Sequence, residues 1–346
     1  MNNQCILLLL IIGNIITGSI EHILIPLLTT MFPSIFFIIM VTTIEAFIVY
    51  ALLYYFTAKT IINCKNLPET KLLIYASLSG ACMVLCFMYS SNPIRTPVVI
   101  QSVLLGLAII PSAIFTRIIL HKILIYSKKY IIISAILLFF AILFSIVPIL
   151  NNTKTNEFNN NNFLWMILYL FAVIFFSLTN ILQEKYISNT NATFTNKIRF
   201  SFYCNGIQLI ILLLLSWIDL LIGYNNSALS ANNDFIASYY IYVSDWQKNL
   251  LIHAFVLVLV ASFICSISLN AISTNYNMIL TNIINQSVAI FFTLFPNLNS
   301  GLHYPINITL MSLLCSITSA YFWFKSQSHN YKHLNEKTPL VTPDIK

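Results

Sequence analysis

The sequence predicts an all-α polytopic membrane protein with ten transmembrane helices arranged as two inverted five-helix repeats. Three observations predict this fold class: the composition, the distribution of positive charge, and a weak internal similarity. Hydrophobic residues make up 58% of the 346 residues, and only 8% are charged, whereas a soluble domain carries about 25% charged residues. The composition therefore excludes an ordinary soluble protein.

Ten apolar runs are long enough to cross the ~30 Å hydrocarbon core of a bilayer at about 1.5 Å per residue. The predicted spans are Cys5–Thr29, Pro33–Thr57, Lys71–Tyr89, Pro97–Leu120, Tyr130–Leu150, Phe163–Gln183, Phe200–Ile222, Leu250–Asn270, Tyr276–Phe295 and Pro305–Phe324. In the fourth span, Pro111 interrupts the helical hydrogen bonds, because proline has no N–H to donate.

The positively charged residues test this number of spans, because Lys and Arg concentrate in cytosolic loops. With the N-terminus in the cytosol, all but three of the 17 Lys and Arg residues fall in cytosolic segments. The exceptions are Arg95, Lys154 and Lys248. A wrong number of spans would scramble this alternation. The charge pattern therefore favours ten spans with both termini in the cytosol.

Two stretches in the fourth and ninth spans share the same order of residues at an offset of 185 positions. The matching pairs are Thr96 with Thr281, Gln101 with Gln286, Ser102 with Ser287, Val103 with Val288, and Pro111 with Pro296. Two halves of five spans each must insert in opposite orientations, which is the layout of many secondary carriers. The predicted division is 1–150 for the first repeat, 151–162 for an Asn-rich linker, 163–324 for the second repeat and 325–346 for a cytosolic tail.

The longest connection within the second half, Gly223–Asn249, contains Asp234, Asp245 and an aromatic run of Phe235, Tyr239, Tyr240, Tyr242 and Trp246. Aromatic side chains are typical of segments that lie at a membrane interface. The sequence leaves open whether this segment is such an interfacial element or a plain loop.

Ionisable residues inside predicted spans are expensive and usually face a cavity or a partner. Glu45 lies deep in the second span and is the first candidate for a proton-coupling carboxylate. The alternative is a structural carboxyl bonded to a neighbouring helix. Glu21 and His22 in the first span are the next candidates for proton coupling. His253 begins its span and is either a pH sensor or a residue that reaches water.

Amide side chains are numerous and concentrate in Asn270–Ser287. Asn282 and Gln286 share a helical face because they are four residues apart, as do Asn277 and Thr281. Such amides either line a substrate pathway or hold helices together. The predicted substrate-binding residues from the fourth and ninth spans are Gln101, Ser102, Asn282 and Gln286.

The sequence carries no Gly-rich phosphate loop, no His and Cys spacing typical of a metal site and no Gly-x-Ser-x-Gly motif. We therefore predict neither an enzyme nor a resident cofactor or metal. The net charge of +7 reflects membrane topology rather than nucleic-acid binding. The expected partners are a small-molecule substrate, protons and membrane lipid, and the sequence leaves the oligomeric state open.

Short motifs in three spans point to a family. The fourth span reads Thr-x-x-x-Ile-Gln-Ser over Thr96–Ser102, followed by Ile110 and Pro111. The sixth span ends in an Asn-x-x-x-Glu motif at Asn180–Glu184, and the seventh has Arg199 with Gln208 nine residues on. These motifs resemble those of the chloroquine-resistance-transporter-like carriers of the drug/metabolite transporter superfamily. The segment Gly223–Asn249 departs from that family in having no cysteine.

The resemblance implies a carrier in the membrane of an acidic vacuole. Such a carrier exports amino acids, small peptides or organic cations to the cytosol and is driven by the proton gradient. The resemblance also implies that Asn180, Asn205 and Gln208 belong to the substrate site. Two alternatives stay open: a nucleotide-sugar or phosphate-ester exchanger, which would need intramembrane Lys or Arg, and a non-transporting membrane receptor or scaffold.

Overall fold

The computed structural model describes residues 3–57, 70–121, 128–152, 160–190, 193–218, 228–272, 274–294 and 306–337. Every regular element within these ranges is an α-helix, which confirms the predicted all-α class. The helices are α1 Asn3–Met31, α2 Ile35–Thr57, α3 Thr70–Ser90, α4 Val98–Gly106, α5 Ile109–Ile119, α6 Lys128–Asn152, α7 Asn160–Asn189, α8 Phe194–Leu214, α9 Ala228–Ser244, α10 Trp246–Asn270, α11 Thr274–Leu294 and α12 Ile306–Lys337.

Seven helical segments of the described chain are long and apolar enough to cross a membrane, which fits an integral multi-pass membrane protein. They are Cys5–Met31, Ile35–Thr57, Thr70–Ser90, Val98–Ile119, Phe163–Asn189, Phe194–Leu214 and Trp246–Asn270. Lys129–Ser145 is a shorter apolar helix.

The predicted fourth span consists of two helices, α4 and α5, and the break between them lies one turn before Pro111. Pro111 has no N–H to donate to the carbonyl of Leu107 four residues earlier. That carbonyl accepts a bond from the N–H of Ile110 instead, at 3.0 Å. The hydroxyl of Ser177 on α7 donates to the carbonyl of Ala108 at 3.0 Å. The same carbonyl accepts the N–H of Ser112 at 3.1 Å, so the neighbouring helix adds a second bond to the backbone at the break.

Helix α9 lies in the segment that the sequence left open between an interfacial element and a plain loop. The helix packs on α2 and α10. The hydroxyl of Ser238 accepts a bond from the N–H of Ser34 at 2.9 Å, and the ring of Phe235 meets Phe37 edge-on at 5.3 Å. Residues Ala228–Ser244 are therefore helical rather than a plain loop, and their position at a membrane interface stays a prediction.

The predicted linker and the predicted tail are both partly helical. Helix α6 runs to Asn152 and α7 begins at Asn160, so helix extends into the Asn-rich linker from both sides, while residues 153–159 lie outside the described chain. Helix α12 continues to Lys337, beyond the predicted end of the tenth span at Phe324. Residues 338–346 lie outside the described chain.

Helices from the two halves of the chain interleave. Helix α1 packs on α10 and α11, α2 on α8 and α10, α3 on α7 and α8, and α6 on α12. Each of these pairs joins a helix before the Asn-rich linker to one after it. Any space inside the bundle is therefore enclosed by both halves.

Apolar side chains close the bundle toward two ends, which we name after helix termini. At the Met31 end, where α1 and α3 finish and α2 and α10 begin, Phe32, Ile38 and Met88 belong to one buried cluster. At the Asn189 end, where α7 and α10 finish and α8 and α11 begin, Leu73 and Phe200 belong to another. Polar side chains occupy much of the interior between these clusters.

Candidate functional site: an internal polar cavity

A cavity of about 210 Å³ lies inside the bundle, with walls from α1, α2, α3, α4, α7, α8, α10 and α11. Met88 and Phe255 of the cluster at the Met31 end border it, as does Cys204 of the cluster at the Asn189 end. Pockets for drug-sized ligands have volumes of roughly 300–1,000 Å³. The volume of this cavity therefore suits a small organic solute.

Glu21 is the one carboxylate among the described residues that line the cavity, and none of those residues is Lys or Arg. Glu21 and Ser262 of α10 share a side-chain hydrogen bond. Tyr50 of α2 also lines the cavity and interacts electrostatically with Glu21. His22, the next residue on α1, completes this part of the wall. The cavity thus presents a carboxylate beside hydroxyl groups and an imidazole.

A group of hydrogen-bonded amides, here named the amide cluster, borders the cavity toward the Asn189 end. The amide cluster consists of Asn14, Asn180, Gln183, Asn270 and Asn277. The side-chain NH₂ of Asn270 donates to Asn180 at 2.7 Å and to Gln183 at 2.9 Å. The NH₂ of Asn277 donates to Asn270 at 2.8 Å, and that of Asn14 donates to Asn277 at 3.4 Å. The cluster therefore joins α1, α7, α10 and α11.

A smaller set of polar contacts lies at the Met31 end. The side-chain NH₂ of Asn92 donates to the carbonyl of Thr29, near the end of α1, at 3.1 Å. The NH₂ of Gln101 donates to the carbonyls of Ser91 and Thr96 at 2.9 and 2.6 Å. Ser91 and Gln101 also line the cavity. Polar contacts thus border the cavity toward both ends.

The structure brings together six of the residues predicted from the sequence. The six that line the cavity are Glu21, His22, Gln101, Asn180, Asn205 and Gln208. They come from α1, α4, α7 and α8, so side chains distant in sequence converge on one space. Their roles in substrate binding and proton coupling stay predictions.

Two other predicted substrate-binding residues, Ser102 and Asn282, lie elsewhere. Ser102 is outside the described lining, and its hydroxyl donates to the carbonyl of Val99 at 2.7 Å. Asn282 faces α12, where the hydroxyl of Ser316 donates to its side-chain oxygen at 3.4 Å. The side chain of Gln286 lies outside the described part of the structure. On α11, it is Thr281 that lines the cavity.

Glu45 lies outside the described lining of the cavity, in a second polar group between α2, α9 and α10. One of its carboxylate oxygens is 2.8 Å from Nδ1 of His253, and the other accepts a bond from the hydroxyl of Tyr242 at 3.1 Å. Burial and then the charge of Glu45 raise the pKa of Tyr242. This arrangement matches the structural alternative that the sequence left open for Glu45.

Among the polar residues that line the cavity without having been predicted are Asn14, Tyr50 and Gln183. Asn14 is an amide in the middle of an apolar span, which is a signal that the sequence offered. Gln183 lies three residues after Asn180 and so shares its helical face. The chain has 18 tyrosines, and nothing in the sequence distinguishes Tyr50 from the rest. Its place in the cavity wall depends on how α2 packs.

The fold and the cavity define a class: a multi-pass helical membrane protein with a polar internal cavity walled by both halves of the chain. Comparison with models of known protein families gives no match, and comparison with curated proteins gives none either. The resemblance to the chloroquine-resistance-transporter-like carriers therefore rests on the short sequence motifs alone.

Proposed function

We propose that this protein is a secondary active transporter that moves small solutes by proton-coupled alternating access. The observation that carries the proposal is the internal cavity, which is lined by amides and a carboxylate and walled by helices of both halves. Secondary carriers bind their substrates in such a place, between two repeats near the middle of the membrane. The proposal includes ten spans in two inverted repeats.

The packing of the helices supports the inverted repeat. If α1 to α6 correspond to α7, α8 and α10 to α12, with α4 and α5 taken as one span, then the contact of α3 with α7 has its counterpart in that of α10 with α1. In the same scheme, α3 with α8 corresponds to α10 with α2, while α2 with α8 and α6 with α12 are their own counterparts. A two-fold relation between the halves accounts for these matches.

A pair of serines supports the same relation at the level of atoms. Ser134 on α6 and Ser319 on α12 are separated by the offset of 185 seen in the sequence, and their bonds are reciprocal. The hydroxyl of Ser134 donates to the carbonyl of Ser319 at 3.0 Å, and the hydroxyl of Ser319 donates to the carbonyl of Ser134 at 2.8 Å. Mutual contacts between equivalent residues are expected where a two-fold axis passes.

Asn92 and Asn277 have the same separation in sequence and take part in polar contacts at opposite ends of the cavity. In alternating access, one half rocks against the other, so that contacts at one end break while those at the other end hold. Opening the Asn189 end would separate members of the amide cluster. Opening the Met31 end would separate Asn92 from the carbonyl of Thr29.

Glu21 becomes the first candidate for the coupling proton in this proposal, because it lines the cavity together with the proposed substrate-binding residues. Those residues are Gln101, Asn180, Asn205 and Gln208. Glu45 has partners of its own, Tyr242 and His253, on a different side of α2. Substrate binding and the conformational change would therefore both depend on whether Glu21 is protonated.

The chemistry of the cavity also bears on the substrate. A nucleotide-sugar or phosphate-ester exchanger needs cationic side chains to hold phosphate, and the described lining contains no Lys or Arg. Amino acids, small peptides and organic cations fit an amide-lined cavity with one carboxylate. The acidic vacuole, the direction toward the cytosol and the cytosolic termini come from the family resemblance and the charge pattern.

The test is uptake by the purified protein in liposomes with an imposed pH gradient. We would offer a labelled amino acid, a short peptide and an organic cation. We expect pH-driven uptake of at least one, and its loss in Glu21→Gln, with Glu45→Gln retaining pH dependence. If only Glu45→Gln lost the pH dependence, Glu45 would be the proton-coupling residue instead. Exchange of nucleotide sugars, or binding without flux, would contradict the proposal and favour the exchanger or the receptor.

A further inference from the structure

Tyr50 is a cavity residue to which the proposed transport cycle assigns no role. Its side chain is 0% exposed, it lines the cavity, and its hydroxyl has no hydrogen-bond partner within the described part of the structure. Buried hydroxyl groups in proteins nearly always have a partner, because an unpaired one loses its bonds to water without replacement. An unpaired hydroxyl on a residue that lines a cavity points to a ligand in that cavity.

Packing, rather than hydrogen bonding, sets the position of the Tyr50 ring. The ring meets Phe263 edge-on at 6.0 Å and belongs to an apolar cluster with Ala46, Val256 and Val260. The ring of Tyr50 therefore keeps its position whether or not a ligand is bound. A donor that is fixed before binding costs little further ordering when the ligand arrives.

The neighbouring wall supplies the second half of a subsite. Glu21 of α1 interacts electrostatically with Tyr50 and is held by a hydrogen bond with Ser262 of α10. A carboxylate attracts an ammonium group, and the phenol donates to an oxygen acceptor. Glu21 and Tyr50 lie on different helices, so a ligand that binds to both side chains would bridge α1 and α2.

We propose that Tyr50 and Glu21 form a subsite for a primary amine that carries a neutral oxygen acceptor beside the amino group. The amide of an amino acid has this chemistry. The inference rests on the proposed function, since it names a substrate class for the same cavity. A plain amine would leave the Tyr50 hydroxyl unpaired, and an unpaired buried group is what lets a polar site reject a ligand.

The charge of Glu21 separates this class from free amino acids. The carboxylate of a free amino acid lies as close to its amino group as the neutral oxygen of the amide does. Bound in the same way, it would be repelled by Glu21 in surroundings of low dielectric constant. The subsite therefore ranks the amide of an amino acid above both the plain amine and the free amino acid.

The experiment combines two proteins with matched ligands. L-Leucinamide, 3-methylbutylamine, which lacks the carboxamide, and L-leucine are titrated into the full-length protein in detergent, and binding is followed by thermal stabilisation. We expect the wild type to bind L-leucinamide about tenfold more tightly than 3-methylbutylamine. Tyr50→Phe should bind these two amines with affinities within about twofold of each other, since its ring donates no bond.

Control variants separate the subsite from a general effect on folding. Tyr203→Phe removes a hydroxyl from a tyrosine of α8 that is outside the described lining, and it should keep the tenfold preference. Without ligand, Tyr50→Phe should unfold at the same temperature as the wild type or higher, because the unpaired hydroxyl is gone. A lower unfolding temperature would mean that the hydroxyl has a structural partner and would overturn the inference.

The outcomes distinguish this inference from the transporter proposal. A wild type that binds neither amine, or binds both equally, overturns the subsite, as does a Tyr50→Phe variant that keeps the preference. Undiminished binding of both amines by Glu21→Gln overturns the role of the carboxylate. Preferential binding without uptake in liposomes would leave the subsite standing and contradict transport, whereas uptake without preference would do the opposite.

Discussion

Glu45 and Glu21 are both carboxylates in apolar spans, and they differ in what surrounds them. Glu45 is 20% exposed and pairs with His253, which is 45% exposed. Pairs that water reaches contribute only about 0.2–1 kcal/mol, because solvent screens the charges. Glu21 faces the cavity and Ser262 instead. Both carboxylates lie inside apolar spans of the sequence, and their neighbours in the structure give them different expected roles.

For Glu45→Gln we expect a small loss of stability, about 0.5 kcal/mol in the free energy of unfolding. The substitution keeps the size and polarity of the side chain but removes the charge that faces His253. Denaturant unfolding in detergent would measure the loss for Glu45→Gln, His253→Gln and the double variant. A double variant as destabilised as the sum of the two single ones would contradict a direct interaction between these side chains.

Asp245 caps the N-terminus of α10, and its carboxylate accepts bonds from the N–H groups of Gln247 and Lys248 at 3.2 and 3.3 Å. The bond from the Lys248 backbone, and less so the Lys248 side chain, lowers the pKa of Asp245. A lowered pKa in the folded protein means a stabilising contribution that is complete above the pKa of an unfolded aspartate, about 3.9. The contribution disappears as the pH falls through the lower, folded value.

We therefore expect Asp245→Ala to lower the unfolding temperature at neutral pH and to have a smaller effect in strong acid. Asp245→Asn is the matched control, because asparagine also caps helices but carries no charge. Its unfolding temperature should lack the pH dependence that this site gives the wild type. The test is to measure the unfolding temperatures of the three proteins from neutral pH down to strong acid. Equal acid sensitivity in all three would contradict the assignment of this pH dependence to Asp245.

Helices α1, α7, α10 and α11 meet at the amide cluster, whereas α1 and the segment before α4 meet at Asn92. If the two ends open in turn, Asn277→Ala and Asn92→Ala have opposite effects. Asn277→Ala removes a hub of the amide cluster and leaves buried partners unpaired, at about 1–3 kcal/mol each. We expect it to favour opening at the Asn189 end, and Asn92→Ala to favour opening at the Met31 end.

Labelling of single cysteines reports the two ends directly. A cysteine at Gln183, next to the Asn189 end, should react faster in Asn277→Ala, and one at Ser91 should react faster in Asn92→Ala. Exposed native cysteines would first be replaced, and each reporter alone is the reference. Changes of the same sign at both ends in either variant would indicate general loosening and count against alternating access.

The interface between α6 and α12 tests the two-fold relation of the whole molecule. Ser134 is 5% exposed and Ser319 is 2% exposed, and each donates to the other's carbonyl. If an axis of the repeat passes between them, Ser134→Ala and Ser319→Ala remove equivalent bonds. We expect each variant to lose about 1 kcal/mol of unfolding free energy, and the two losses to agree within about 0.5 kcal/mol.

Ser312→Ala is the control on the same interface. Its hydroxyl donates to the carbonyl of Ala141 at 2.9 Å, so it loses a bond that does not join residues 185 positions apart. Unfolding measured with denaturant would give all three losses. A large difference between Ser134→Ala and Ser319→Ala would show that their surroundings are not equivalent and would weaken the inverted repeat.

Much of the fold could be predicted because it depends on local composition. Apolar runs such as Ile35–Thr57 are helical in any apolar surroundings, since a lipid-embedded backbone must satisfy its own hydrogen bonds. Residues that lie on one helical face, such as Asn180 and Gln183, could also be related from spacing. The break at Leu107 was harder to place, because Ser177 of a distant helix supports it.

The sequence alone determined that this protein is helical and rich in spans apolar enough for a membrane, because those properties follow from residue type and order. It also marked most of the Glu, His, Asn and Gln residues that line the cavity, because such groups are rare in apolar spans. Only the tertiary structure decided that Glu21 faces the cavity while Glu45 pairs with His253. It likewise brought Tyr50 to the cavity wall. Both outcomes depend on how helices rotate and pack against partners far away in the chain, and periodicity within one helix carries no information about its partner.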